Sequence, residues 1–136
     1  MDEFRFLVIC ELPTDEDGYV SLQGVLNDIR VARLPVEITM SAVVGAVLRD
    51  PMWGKRLDLM AWRFGKTGER QPIPGYAGTP LFLPREGVGA AVLPYPITVP
   101  IPERGIYGFD LFDREGAFGT AERLLATYLY SVEETN

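Results

Sequence analysis

Histidine is absent from these 136 residues, and cysteine occurs once, at Cys10. Without imidazole there is no Ser–His or Cys–His nucleophile pair, no imidazole metal site and no side chain that ordinarily titrates near neutral pH. A single cysteine excludes an intramolecular disulfide and a thiolate metal cage. Lysine is scarce as well: only Lys55 and Lys66 occur, and the arginines are scattered without forming a basic stripe. With a net charge of −6, the chain lacks the clustered cations that nucleic-acid phosphates or an anionic membrane surface require. Long apolar runs are missing too. The stretch Phe6 to Cys10 is too short for a signal core or a membrane span, and Met1-Asp2-Glu3 is acidic where a secretory signal is basic. These absences point to a non-catalytic cytoplasmic protein that holds no cofactor, binds no nucleic acid and has no membrane span.

What is present is enough for a core. Hydrophobic residues make up 47% of the chain, which argues against disorder. A chain of this length forms one domain, here residues 1–136, burying about two-thirds of its unfolded surface.

The most telling segment runs from Ala91 to Pro102. Its odd positions (Ala91, Leu93, Tyr95, Ile97, Val99, Ile101) are all apolar, and Pro94, Pro96, Pro100 and Pro102 all fall on even ones. In an extended strand, residues two apart share a face and direct their backbone groups to one neighbour. Proline has no N–H to donate, so the even-numbered side cannot form a regular ladder. The segment is predicted to be a half-buried edge strand that does not pair on its outer side.

Val36 to Leu48 carries seven apolar residues in unbroken period two (Val36, Ile38, Met40, Ala42, Val44, Ala46, Leu48). Between them, Glu37, Thr39 and Ser41 give way to Val43, Gly45 and Val47. The strand is therefore predicted to have one wet face in its first half and to be covered on both faces in its second. Further strands are expected at Phe4 to Leu12, Tyr19 to Leu34 (with a bulge or bend at Gly24), Arg56 to Phe64, Leu81 to Leu83 and Gly105 to Phe112. Acidic, glycine-rich and proline-rich turns separate them. The C-terminal stretch carries both signals. Ala121, Leu124, Leu125, Tyr128, Leu129 and Val132 fit a helical stripe capped by Thr120. The β-prone Thr127, Tyr128, Tyr130 and Val132, and charges that oppose a helix dipole, favour a strand over Arg123 to Val132. The expected fold is all-β: an antiparallel β-sandwich of about seven or eight strands, immunoglobulin- or C2-like, with the proline-rich segment at an edge.

Few motifs carry chemistry. Gly65-Lys66-Thr67 has the ending of a phosphate loop, but Met60 stands where that loop needs its first glycine, so a hairpin turn is expected. Asp15 and Asp17 flank Glu16 in an acidic stretch that reads first as a solvated turn with no metal, and they are the only metal candidates, for a calcium-dependent C2-like module. Trp53, Trp62 and Tyr76 are candidate platforms for a ligand or partner. A turn anchor and a sheet-packing residue are the structural alternatives for the two tryptophans. Cys10 reads as a small core residue. Tyr107, at a strand entry, is placed for a tyrosine-corner hydrogen bond. Val43 and Val47 suggest an apolar second face through which a protein partner or a second copy is bound.

Three pieces together carry a resemblance: the first strand ending in Cys10-Glu11, the run Ser21-Leu22-Gln23-Gly24-Val25 after an acidic turn, and the Gly105-Ile106-Tyr107 strand entry. With them the chain resembles a family of small bacterial β-sandwich proteins of unknown function. The resemblance implies a fold and transfers no catalytic residues.

Overall fold

A computed structural model describes residues 3–16, 19–76, 78–119 and 122–135, with residues 12–16 and 19–25 described through the backbone alone. Ten strands are arranged in two sheets packed against each other, with no α-helix among the described residues. The first sheet contains β1 (Phe4–Glu16), β2 (Tyr19–Val25), β4 (Val36–Leu48) and β8 (Gly89–Ile101), in the order β2-β1-β4-β8. The second contains β3 (Asp28–Val31), β5 (Arg56–Phe64), β6 (Arg70–Pro72), β7 (Thr79–Phe82), β9 (Gly105–Asp113) and β10 (Arg123–Glu134). Its order is β3-β10-β9-β5-β6, with β7 pairing farther along the outer side of β5.

The proline segment is an edge strand. β8 pairs with β4 over thirteen residues, from Val36↔Ile101 to Leu48↔Gly89, and has no strand on its other side among the described residues. Ile97, Val99 and Ile101 are buried, whereas Pro94, Pro96 and Thr98 are exposed, so the even positions do face outward. β4 also follows its pattern, with Glu37 and Thr39 exposed and every residue from Ala42 to Ala46 buried. Val43, however, is fully buried and offers no apolar surface. It lies in register between Val8 of β1 and Pro94 of β8, and the Phe6 ring lies over neighbouring Gly45. Only half-buried Val47 remains of that expected patch.

The C-terminal stretch is strand β10, paired with β9 through a register shift between Leu124 and Ala126. The helical cap at Thr120 and the start of the apolar stripe at Ala121 lie outside the described residues. Several expectations are corrected: the described residues form ten strands where about seven or eight were expected, and β1 continues to Glu16 through part of the turn expected after Leu12. The extended run from Tyr19 to Leu34 is not one strand but two, β2 and β3, which belong to different sheets. In addition, β3 pairs parallel with β10 (Ser131↔Asp28 to Glu134↔Val31), so the sheets are not wholly antiparallel. A chain that changes sheets after Val25 enters the second sheet at its far edge, beside the C-terminal strand. The pairing sense there is set by that route and not by a hairpin.

The core lies between Leu7, Ile9, Met40, Ala42 and Val44 of the first sheet and Leu57, Leu59, Phe109, Leu111 and Val132 of the second. Aromatic residues tie the layers together. Phe4 meets Phe118 edge-on at 5.9 Å, Tyr128 donates its hydroxyl to the Leu26 carbonyl at 2.6 Å, and Tyr95 donates to the Phe82 carbonyl at 2.8 Å. Tyr107 forms the expected corner, donating to the Glu103 carbonyl and accepting from the Glu103 N–H. Tyr130 stacks between Tyr107 and Phe109 with centroids at 5.8 and 5.5 Å, but its buried hydroxyl has no partner among the described residues.

That contrast gives an expected result. Tyr107→Phe should lower stability by about 1–2 kcal/mol, because it strips the Glu103 turn of its partner. Tyr130→Phe should be neutral or stabilising, since it removes a buried polar atom that gains nothing. Chemical denaturation of the two variants distinguishes them. The tyrosines also set the alkaline limit of the fold. Burial pushes Tyr95 from 10.0 up to about 12 and raises Tyr76, Tyr107, Tyr128 and Tyr130 as well. The folded state therefore holds these protons more tightly than the unfolded chain does. This contribution is complete below pH 10 and is lost as pH climbs through about 12. A circular-dichroism titration should show cooperative unfolding in that window, beginning at higher pH in Tyr95→Phe.

Candidate functional site

The outward face of the second sheet is built around one glycine. Trp62 of β5, Gly108 of β9 and Leu129 of β10 are cross-strand neighbours in a single row. The missing side chain at Gly108 makes room for the indole: a Cβ there would lie 2.3 Å from a Trp62 ring carbon. Arg70 of β6 places its guanidinium 4.0 Å from the ring centroid of Trp62, a cation–π contact. Its far end is fixed by Asp110 at 2.6 Å, and the other Asp110 oxygen accepts the Thr127 hydroxyl at 2.8 Å. Phe64 meets the indole edge-on at 4.9 Å.

Trp62 is consequently only 6% exposed, although it points away from the core, and its Nε1 has no partner among the described residues. What this face does present is aliphatic and aromatic: Phe64, Ile106, Leu124 and Leu129 are all exposed. Ion pairs are interleaved with them, Arg114 and Arg56 both meeting Asp58, at 2.7 and 3.2 Å.

A cleft of about 690 Å³ opens where this face meets the ends of its strands, between the β5–β6 turn and the turn before β9. Arg63 crosses it to Glu103 at 2.6 Å. The Glu69 carboxylate accepts from the Thr67 hydroxyl and from the Gln71 amide, and these hydrogen bonds, Thr67 foremost, hold its carboxyl below the ordinary range. Lys66 and Arg104 line the same cleft and carry no ion pair among the described residues. Gly65-Lys66-Thr67 is itself the hairpin turn. Gly65 N–H donates to the Glu69 carbonyl at 2.7 Å, and Gly68 takes φ +86°.

The three platform candidates lie in three separate settings, and none of them lines this cleft. Trp53, 37% exposed, follows a short 3₁₀ turn (Asp50–Met52) and donates its Nε1–H to the Gly87 carbonyl at 2.9 Å. It anchors a turn. Trp62 packs on its own sheet beneath Arg70. Tyr76 is half-buried against the core, its hydroxyl 2.5 Å from Thr79 Oγ1. Cys10 is fully buried, and burial pushes its thiol up. For the metal candidates, the Asp15 side chain and the whole of Asp17 lie outside the described residues. Among the described residues no three Cys, Asp or Glu side chains converge as a cation site.

No motif in the sequence marks Phe64, Ile106, Leu129 or Arg70 as site residues. One signal was available: β5 is apolar on both faces, with Leu57, Leu59 and Ala61 alternating with Met60, Trp62 and Phe64. Such a strand has either a covered outer face or a sticky one. Nothing local indicated that Arg70 would cover the indole, because that contact depends on the β5–β6 register.

Comparison with models of known protein families, with curated proteins and with solved structures gave no match. Among the described residues no helix is long and apolar enough to cross a membrane.

Proposed function

We propose that this chain is a non-catalytic protein-interaction module, a β-sandwich that acts through surface contacts. The observation that carries this reading is the exposed set Phe64, Ile106 and Leu129 on the outward face of the second sheet, with Ile106 and Leu129 diagonal to each other across β9 and β10. Adjacent large apolar side chains on a sheet face, rimmed by ion pairs, have the composition of an interface core with its polar rim. The absence of histidine supports the non-catalytic part, and the tyrosine corner at Glu103–Tyr107 supports an immunoglobulin-like sandwich. The resemblance to small bacterial β-sandwich proteins is of a piece with this reading, as is a cytoplasmic location.

The test is affinity capture from the native cell with the wild type and with an Ile106→Asp/Leu129→Asp double variant, both checked for an unchanged circular-dichroism spectrum. A stoichiometric partner retained by the wild type and lost by the variant supports the reading. A partner held equally by both, or none held by either, removes this face as the site.

A second reading, small-ligand or carbohydrate binding, is favoured by the cleft, where Lys66 and Arg104, without an ion pair among the described residues, stand beside Phe64. Thermal shifts across sugars and small anions, repeated with Lys66→Ala, test it. For the calcium-dependent C2-like alternative, which rests on Asp15 and Asp17, calorimetry with calcium is the measurement, and an absence of heat ends it.

A further inference from the structure

Among the described residues four strand edges bound the two sheets, and three of them carry features that oppose pairing. β8 has prolines at 94, 96 and 100, on the side that faces away from β4. β3 is four residues long and carries Asp28 and Arg30. The outer side of β5 is taken by β6 and β7, of three and four residues, which contain Pro72 and Pro80. Short length, charge and proline are the usual means by which an edge is protected from strand addition.

The fourth edge, β2, has none of them. Tyr19–Val25 is seven residues of Tyr, Val, Ser, Leu, Gln, Gly and Val, and the sequence from Gly18 to Asn27 contains no charged residue and no proline. β2 ends the first sheet, with β1 on one side and no strand on the other among the described residues. Its position adds a second argument. β1 stops pairing with β4 at Cys10↔Ser41 but continues with β2 to Glu16↔Tyr19. Residues 12–16 and 19–23 therefore form a two-stranded ribbon beyond the body of the sheet, and a two-stranded ribbon is marginal in water without further strands.

We propose that β2 is a dimerisation edge, pairing antiparallel with β2 of a second copy of this chain. The register already present determines how. Leu26 N–H donates to the Ile9 carbonyl, so the even-numbered residues of β2 direct their backbone groups to β1. The outward backbone groups belong to Tyr19, Ser21, Gln23 and Val25. A two-fold axis at Leu22 sets Tyr19 opposite Val25 and Ser21 opposite Gln23 of the other copy, so every outward N–H and carbonyl of the strand is paired. The same edge serves both copies, as a two-fold interface requires. The merged sheet would have eight strands with β8 and its prolines at both ends, which closes the assembly at two copies and blocks a fibre. A heterologous peptide could occupy the same edge, but only self-pairing uses one strand twice with all its outward groups matched. This surface lies in the first sheet, apart from Ile106 and Leu129, so its test is independent of the face proposed above.

The test begins with light scattering of the wild type across micromolar concentrations, where a mass approaching twice 15.2 kDa is expected. Gln23→Pro, which removes one outward N–H, and Gln23→Lys, which places a charge on the edge, should both give monomers with unchanged circular dichroism. If the proline variant fails to fold, the lysine variant decides. Leu22→Cys in a Cys10→Ala background should oxidise to a covalent dimer, because Leu22 faces its own copy at a non-hydrogen-bonded pair. Cα atoms there are about 4.5 Å apart, within disulfide reach of about 4.4–6.8 Å. Val20→Cys, off the axis, should cross-link far less. Ile106→Asp should leave the dimer intact. A wild type that stays monomeric throughout, or a dimer that survives Gln23→Lys and does not cross-link through Leu22→Cys, overturns the proposal.

Discussion

Gly108→Val is expected to destabilise the protein by about 2–3 kcal/mol, the upper part of the range for forcing extra atoms into a packed site. The reason is geometric. The new Cβ would fall 2.3 Å from Trp62 Cζ2 and 2.6 Å from Cε2, and the indole is already held under Arg70, whose guanidinium lies 4.0 Å from the ring centroid. Relief requires the ring to leave the sheet and push the guanidinium away from Asp110. The substitution should therefore also alter the near-ultraviolet tryptophan signal and raise quenching of Trp62. Since Trp53 contributes too, the measurement belongs in a Trp53→Phe background. Arg70→Ala in the same background separates the two effects. It should expose the indole and increase quenching with a smaller loss of stability, because a half-exposed ion pair and a surface cation–π contact each contribute about 1 kcal/mol or less. Equal stability for Gly108→Val and the wild type would mean that the indole is not confined as described.

The second large effect is expected at Asp113. This carboxylate closes β9, is fully buried, and accepts the backbone N–H groups of Ala117 and Phe118 at 2.7 and 2.9 Å. Both donors belong to buried residues, so Asp113→Ala leaves two buried N–H groups without a partner. At about 1–3 kcal/mol for each unsatisfied group, the loss should be on the order of 3 kcal/mol. Asp113→Asn keeps one acceptor oxygen and should fall between the two. The damage should spread across the layers, because the turn positions Phe118 against Phe4 of β1 in the opposite sheet. Denaturant titration gives the magnitudes. Hydrogen exchange should show faster exchange of the Ala117 and Phe118 amides in the alanine variant, and unchanged protection there would refute the assignment. Glu115, which also accepts a backbone N–H, from Arg56, is exposed, and its loss should cost far less.

These two residues mark different degrees of legibility. Asp113 opens the run Asp-Arg-Glu-Gly, and those residue types in that order mark a turn after β9. They do not mark its carboxylate's partners four and five residues on, since only the bend of the chain brings those amides together. Gly108 had no signal of its own. Its meaning depends on Trp62, forty-six positions earlier, being its cross-strand neighbour.

What the sequence determined by itself follows from period and from backbone chemistry. The prolines of 94, 96 and 100 share one parity, so β8 had to be an edge, since no neighbouring strand could complete a ladder on that side. β4 had to change from half-wet to buried along its length, because its odd positions change from Glu, Thr and Ser to Val and Gly. Strand β10 prevailed over a helix because its β-branched and aromatic residues suit a pleated surface. The tertiary structure alone decided the register-dependent features: that β3 crosses to the other sheet and runs parallel to β10, that Val43 is covered within this chain itself, and that Arg70 lies over Trp62. Among the described residues it also left β2 as the edge without proline, charge or short length. Each of these joins residues far apart in the chain, and periodicity within a segment carries no information about which strand becomes its neighbour.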